Sequence, residues 1–156
     1  MIEAQRRKIG DIAYEAGGQK YLDLPKDFPY QGLNLRLAGR LVISGGTTSG
    51  IPWEENPMTL IERIRVFGTK AGGAVEIINC DAATLRELDR ILTGAPGEIT
   101  TVQAGAAATY DFVVDIEVPL SGVRLADEAV IASMLPGWIF DNLQIEVKWR
   151  DGISTS

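Results

Sequence analysis

The chain has 156 residues, 46% of them hydrophobic and 23% charged, with a formal net charge of −6. That balance suits one folded domain rather than a disordered chain, and the acidic excess argues against broad nucleic-acid binding, which needs Lys and Arg to neutralise phosphates. Histidine is absent and cysteine occurs once, at Cys80, which excludes an intramolecular disulfide, the usual zinc and haem ligand sets and the Ser-His-Asp or Cys-His catalytic arrangements.

Residues 1–18 read as an N-terminal arm with a basic cluster, Arg6, Arg7 and Lys8. No apolar stretch follows the cluster, so a secretory signal is not expected, and no apolar run approaches the roughly 18 residues of a membrane-spanning helix. Three basic residues beside an anionic membrane would each contribute about 1 kcal/mol, a tether that matters only when many copies act together.

Residues 19–150 read as a single β domain. Leu33, Leu35 and Leu37 alternate with Asn34, Arg36 and Ala38, and Leu41-Val42-Ile43 continues past Gly39, as a long strand with a bend would. Between Gly45 and Pro57 lies a stretch rich in Gly, Thr and Ser that holds Trp53, Glu54 and Glu55, the kind of loop that meets a ligand or a neighbouring subunit. From Leu60 to Phe67, Leu60, Ile64 and Val66 fall on one face, while Ile61 and Phe67 share the other with Arg63 and Arg65, an arginine-bearing face expected to be wet. Gly72-Gly73 turns this strand into a hairpin partner, Ala74 to Cys80, and Cys80 reads as a small core residue.

A helix is expected over 81–93. Asp81 suits its N-cap, Leu85, Leu88 and Leu92 recur at helical spacing, Arg86, Glu87, Asp89 and Arg90 face outward, and Gly94 and Pro96 stop it. Thr109 to Pro119 alternates Tyr110, Phe112, Val114, Ile116 and Val118 with Asp111, Val113, Asp115 and Glu117, a half-buried strand for which Ile99 to Gln103 is a possible neighbour. Leu125 to Met134 fits a helical turn and a strand equally. Leu143, Ile145, Val147 and Trp149 alternate with Gln144, Glu146 and Lys148 in a final strand before the polar tail 151–156.

Two sets of carboxylates invite a catalytic reading: Glu54 with Glu55, and Asp111, Asp115 and Glu117 on one strand face. Alternating acids are, however, what any solvated sheet face displays. The Gly-Gly pairs lack the lysine and strand-to-helix setting of a phosphate loop, and no calcium-loop pattern occurs. The expectation is a protein that is not an enzyme and takes no cofactor and no metal.

The order of these segments resembles the single jelly-roll capsid proteins of icosahedral, membrane-containing bacterial or archaeal viruses. The resemblance lies in the arm, the lead-in Leu22-Asp23-Leu24-Pro25 to Tyr30, the long strand Leu33 to Ile43, and the phrase Leu135-Pro136-Gly137-Trp138 through Asn142 to Trp149. It implies a mostly β fold, an antiparallel sandwich or barrel of jelly-roll type with eight strands in two sheets and the 81–93 helix as an insertion. It also implies a structural virion protein, a capsid subunit that oligomerises into capsomers and tiles an icosahedral shell. Its partners would be copies of itself, other capsid proteins and, through the arm, an inner viral membrane, with no specific nucleic acid. Arg6, Arg7, Lys8, Trp53, Glu54 and Glu55 are the contact candidates. The alternative is a non-catalytic β-sandwich binding module for carbohydrate or protein, in which Trp53, Trp138 and Trp149 could supply stacking surfaces and Trp53, in its loop, is the better candidate.

Overall fold

Short alternating segments separated by glycine and proline fold here as antiparallel strands. The computed structural model describes residues 6–43, 60–94, 108–121 and 133–151. Its strands are β1 (Gln19–Asp23), β2 (Pro29–Tyr30), β3 (Gly32–Ile43), β4 (Ile61–Lys70), β5 (Gly73–Cys80), β6 (Ala108–Pro119), β7 (Leu135–Pro136) and β8 (Asn142–Trp149), and the helix α1 (Ala82–Thr93) follows β5. β1, β8, β4 and β5 form a four-stranded sheet in that order; β3 pairs with β6 over twelve residues, and β2 with β7 over two. The strands expected around Leu33–Ile43, Thr109–Pro119 and Leu143–Trp149 are all present, and β6 pairs with β3. The segments 99–103 and 125–132 lie outside the described residues.

One apolar core joins the two larger layers. Ile64, Val66, Leu143, Ile145, Val147 and Trp149 come from the four-stranded sheet, and Leu33, Phe112, Val114, Ile116 and Val118 from the β3–β6 ribbon. The period-2 pattern of each strand puts these side chains inward and the polar ones out. Trp149, expected in the core or at a sheet edge, is buried, and Cys80 is half-buried against the core. Burial, and secondarily the neighbouring Asp81 charge, raise the Cys80 thiol above its ordinary pKa, which leaves it a poor nucleophile.

Glycines mark two close approaches. At Gly39 the chain does not break: pairing runs through to Phe112 directly opposite, whose ring end lies 2.8 Å from where a Cβ would sit. At Gly68 the buried ring of Phe140 occupies the same place, with its Cγ 2.7 Å from a notional Cβ.

Three expectations change, two of them in which residues face the core. Ile61 is buried, not on the arginine face, because the β4–β8 register shifts between Ile61 and Arg63, and such a bulge inverts the alternation. On α1, Ala82 and Leu85 are buried and Asp89 is half-buried, while Leu88 is exposed. Positions 82, 85 and 89 share one face of a 3.6-residue helix, so the helix is rolled away from the stripe that Leu88 suggested. Its ends are as expected: the Asp81 carboxylate accepts from the Thr84 N–H at 2.6 Å, and Gly94, at φ 73°, donates its N–H to Arg90.

The β4–β5 turn is centred on Ala71 and Gly72, one residue earlier than the Gly72-Gly73 pair suggested. Both have positive φ, 50° and 78°, the signature of a type I′ hairpin turn. An alanine in the left-handed region is strained, and it is held there by its N–H bond to the Asp141 carboxylate at 2.9 Å. Replacing Ala71 by Asn supplies the Asn-Gly pair such turns favour, and is expected to stabilise the fold by about 0.5–1 kcal/mol, read as a higher thermal midpoint.

Candidate assembly surfaces

Residues 6–18 carry no helix or strand but lie against the domain. Ile9 and Ile12 pack on the core, and Tyr14 meets Trp149 edge to face at 5.3 Å. Gly17 donates its N–H to the Arg150 carbonyl, and Trp149 donates its own to Gly18. Of the basic cluster, Lys8 pairs with Asp11 at 2.8 Å, Arg7 stands over the Phe28 ring at 5.5 Å, and Arg6 is close enough to Asp115 for its charge to be felt there.

Arg7 thereby reaches a rim of exposed apolar side chains. Gly137 donates its N–H to the Phe28 carbonyl, which brings the 26–28 loop against the short 3-10 helix Gly137–Ile139. A Cβ at Gly137 would sit 2.9 Å from the Phe28 carbonyl oxygen and 3.0 Å from that of Lys26, so only glycine permits this approach. Phe28, Trp138 and Ile139 are all exposed, Trp138 at 61%. Trp and Arg at a desolvable rim are the residue types that dominate binding energy at protein interfaces. The sequence offered Trp138 as a stacking surface by its residue type alone, because a lone aromatic in a turn has no periodicity to read.

Trp53, Glu54 and Glu55 lie outside the described residues. Asp111, Asp115 and Glu117 do share one exposed face of β6, each with a partner on β3. Arg40 grips Asp111 through Nε and Nη2 at 2.7 and 3.3 Å, Arg36 grips Asp115 at 3.0 and 3.2 Å, and Asn34 donates to Glu117 at 2.6 Å. The hydrogen bonds from the arginines, ahead of their charge, hold the Asp111 and Asp115 carboxyls below their ordinary range. Carboxylates held ionised in this way cannot serve as general acids near neutral pH. Among the described residues no group of three or more Cys, Asp or Glu is gathered to hold a metal ion, and no helix is long and apolar enough to cross a membrane.

The outward face of the four-stranded sheet is the arginine-bearing face, and it is not simply wet. Register places Tyr21, Glu146 and Arg65 side by side across β1, β8 and β4. Glu146, which alternation assigns to solvent, is 0% exposed. Arg63 donates to its Oε1 from Nη2 at 2.5 Å and from Nε at 3.1 Å, while Arg65 stands 3.6 Å from Oε2 and also pairs with Glu76 at 2.7 Å. Arg65 lies over the Phe67 ring at 4.4 Å, and Phe67 meets Tyr21 edge to face. The carboxylate is thus roofed by a layer one side chain thick. Burial pushes its pKa up, but the Arg63 and Gln19 hydrogen bonds and the two guanidinium charges outweigh this and hold it below its ordinary value.

No protein-family model matches the sequence, and no curated protein matches it. A solved structure does: the crystal structure of the STIV MCP, a major capsid protein, superposes with a TM-score of 0.59 at 14% identity. The match covers 88% of this chain and 39% of that one. At that identity the likeness shows the fold: mostly antiparallel β of the viral jelly-roll type.

Proposed function

We propose that this chain is a structural subunit of a virion, one that associates with copies of itself and with other capsid proteins to form capsomers of an icosahedral shell. The observation that carries the reading is the superposition over 88% of the chain on a capsid protein's jelly roll. The exposed Phe28, Trp138 and Ile139 supply contact chemistry beside it. The reading assigns no reaction and no cofactor to the chain. It places the protein in the capsid after synthesis in the host cytoplasm, and gives Arg6, Arg7 and Lys8, with Trp53, Glu54 and Glu55, to contacts with neighbours. Arg6 to Lys8 are further placed against an inner viral membrane.

The test is physical association with particles. Antibodies to the chain, applied to density-gradient fractions from cultures that make it, should follow the particle band. Trp138→Ala is expected to leave unfolding free energy within about 0.5 kcal/mol, because the ring is exposed, yet to weaken incorporation about tenfold. A chain absent from particles and monomeric at millimolar concentration overturns the reading. So does saturable glycan binding lost in the same variant, which moves the chain to the class of binding modules.

A further inference from the structure

The exposed face of the β3–β6 ribbon is divided by charge along its length. Its β3 row reads Asn34, Arg36, Ala38, Arg40, and its β6 row reads Glu117, Asp115, Val113, Asp111, each residue opposite its counterpart. One strand is a positive stripe and the other a negative stripe, with the small rung Ala38–Val113 between two ion-pair rungs. The ion pairs are open to solvent, with side chains 43–72% exposed, and Val113 is 52% exposed.

We infer that this face is a self-complementary contact joining two copies of the chain about a two-fold axis parallel to the strands. The inference rests on the assembly reading and names one of its contacts. Only one face-to-face two-fold suits the charges. An axis along the strands lays β3 of one copy over β6 of the other, so that Arg36 faces Asp115, Arg40 faces Asp111 and Ala38 faces Val113. An axis across the strands at the middle rung lays Arg36 over Arg40 and Asp115 over Asp111, and the like charges repel.

The ladder is prepared for such a contact. Each in-chain pair uses two N–H groups of its arginine, and a guanidinium has five. The remaining donors can reach a second carboxylate without disturbing the first, and the side chains are already ordered by the bonds they make. Two sheets stacked with strands within about 30° of each other keep the rungs in register at the centre.

Twelve residues at about 3.3 Å each, on two strands, present a face on the order of 400 Å², about half of what a stable interface buries per partner. The contact is therefore weak alone and salt-sensitive, and is effective where symmetry repeats it.

Sedimentation velocity on the full chain tests it. The wild type should self-associate at high concentration in low salt. Arg36→Asp with Arg40→Asp, and separately Asp111→Arg with Asp115→Arg, should each weaken this at least tenfold while melting as cooperatively as the wild type. Exchanging all four charges restores both the in-chain pairs and the association, and keeps the test valid if a single-sign variant does not fold.

The axis is read in a Cys80→Ala background with a short bismaleimide. Mixed Ala38→Cys and Val113→Cys chains should cross-link to each other faster than either does to itself, since the like pairs lie one strand spacing further apart diagonally. A wild type monomeric at every concentration, single-sign variants that associate undiminished, or Ala38→Cys chains that cross-link to one another faster than to Val113→Cys chains overturn the contact. Particles that contain the chain without the cross-link sink this contact alone. A cross-linked dimer from a chain absent from particles supports the contact and sinks the virion reading.

Discussion

Glu146→Ala is expected to lower the unfolding free energy by about 3 kcal/mol, measured by urea titration, because it leaves two partly covered guanidinium groups without their shared carboxylate. The estimate sits at the low end for a buried pair, since Arg63 and Arg65 are 37% and 28% exposed and recover some hydration. The neutral isostere separates charge from shape. In the folded chain Glu146 titrates below its ordinary value, so its contribution is complete above the unfolded-state pKa and is lost as pH falls through the folded one. The stability gap between wild type and Glu146→Gln should therefore be widest above the unfolded-state pKa and narrow as pH falls through the lowered folded-state pKa, below which both side chains are neutral. A gap that does not change with pH would assign the effect to packing.

The second large effect is steric. Gly68→Ala is expected to destabilise by about 3 kcal/mol, since the added methyl meets the buried ring of Phe140 and a well-packed core yields only by moving its neighbours. The Cγ and Cε1 atoms of that ring lie 2.7 and 2.8 Å from the methyl position. The two positions should couple. Once Phe140 is alanine, Gly68→Ala should add little, and a double-mutant cycle by chemical denaturation gives the interaction directly. Additive losses would mean that the β4 backbone at Gly68 is strained by the substitution itself.

These two sites differ in how much of them the sequence shows. The strands β3, β6 and β8 and the ends of α1 are legible because each is written in local terms: a period of two, an Asp at the N-cap, a Gly past the last turn. Glu146 obeys the same alternation and is still buried, because its cover comes from Arg63, 83 positions away in the chain. Which strand lies beside β8, and in which register, is not written in β8. The bulge beside Ile61 defeats alternation differently, by inserting one residue that no composition signals. The roll of α1 follows from what it packs against, β6 and β4, and not from its own stripe. The exposed rim at Trp138 depends on Gly137 fitting under two carbonyls of a loop more than a hundred residues away.

The β3–β6 ladder lies between these cases. Each strand's polar positions can be read from the sequence, and the acids Asp111, Asp115 and Glu117 stand out there as a set. Their partners Arg40, Arg36 and Asn34 are just as visible in β3, but pairing the two sets requires the register of residues 71–83 positions apart. With that register known, a face that reads as a row of candidate acids becomes two closed ion pairs beside an Asn34–Glu117 hydrogen bond.

The tie between the arm and the last strand bears on how the domain carries load. β1 runs antiparallel to β8 with Gln19 opposite Lys148, and the bonds Gly17 to Arg150 and Trp149 to Gly18 close that same corner. A pull that separates residue 17 from residue 150 therefore opens the β1–β8 seam one rung at a time, like a zip. Tension drawn along the strands, by contrast, must shear every rung of the seam together. The domain should thus yield readily at this corner and resist along its length, so a neighbour attached at the corner could unfasten β1 while the rest of the sheet stays intact.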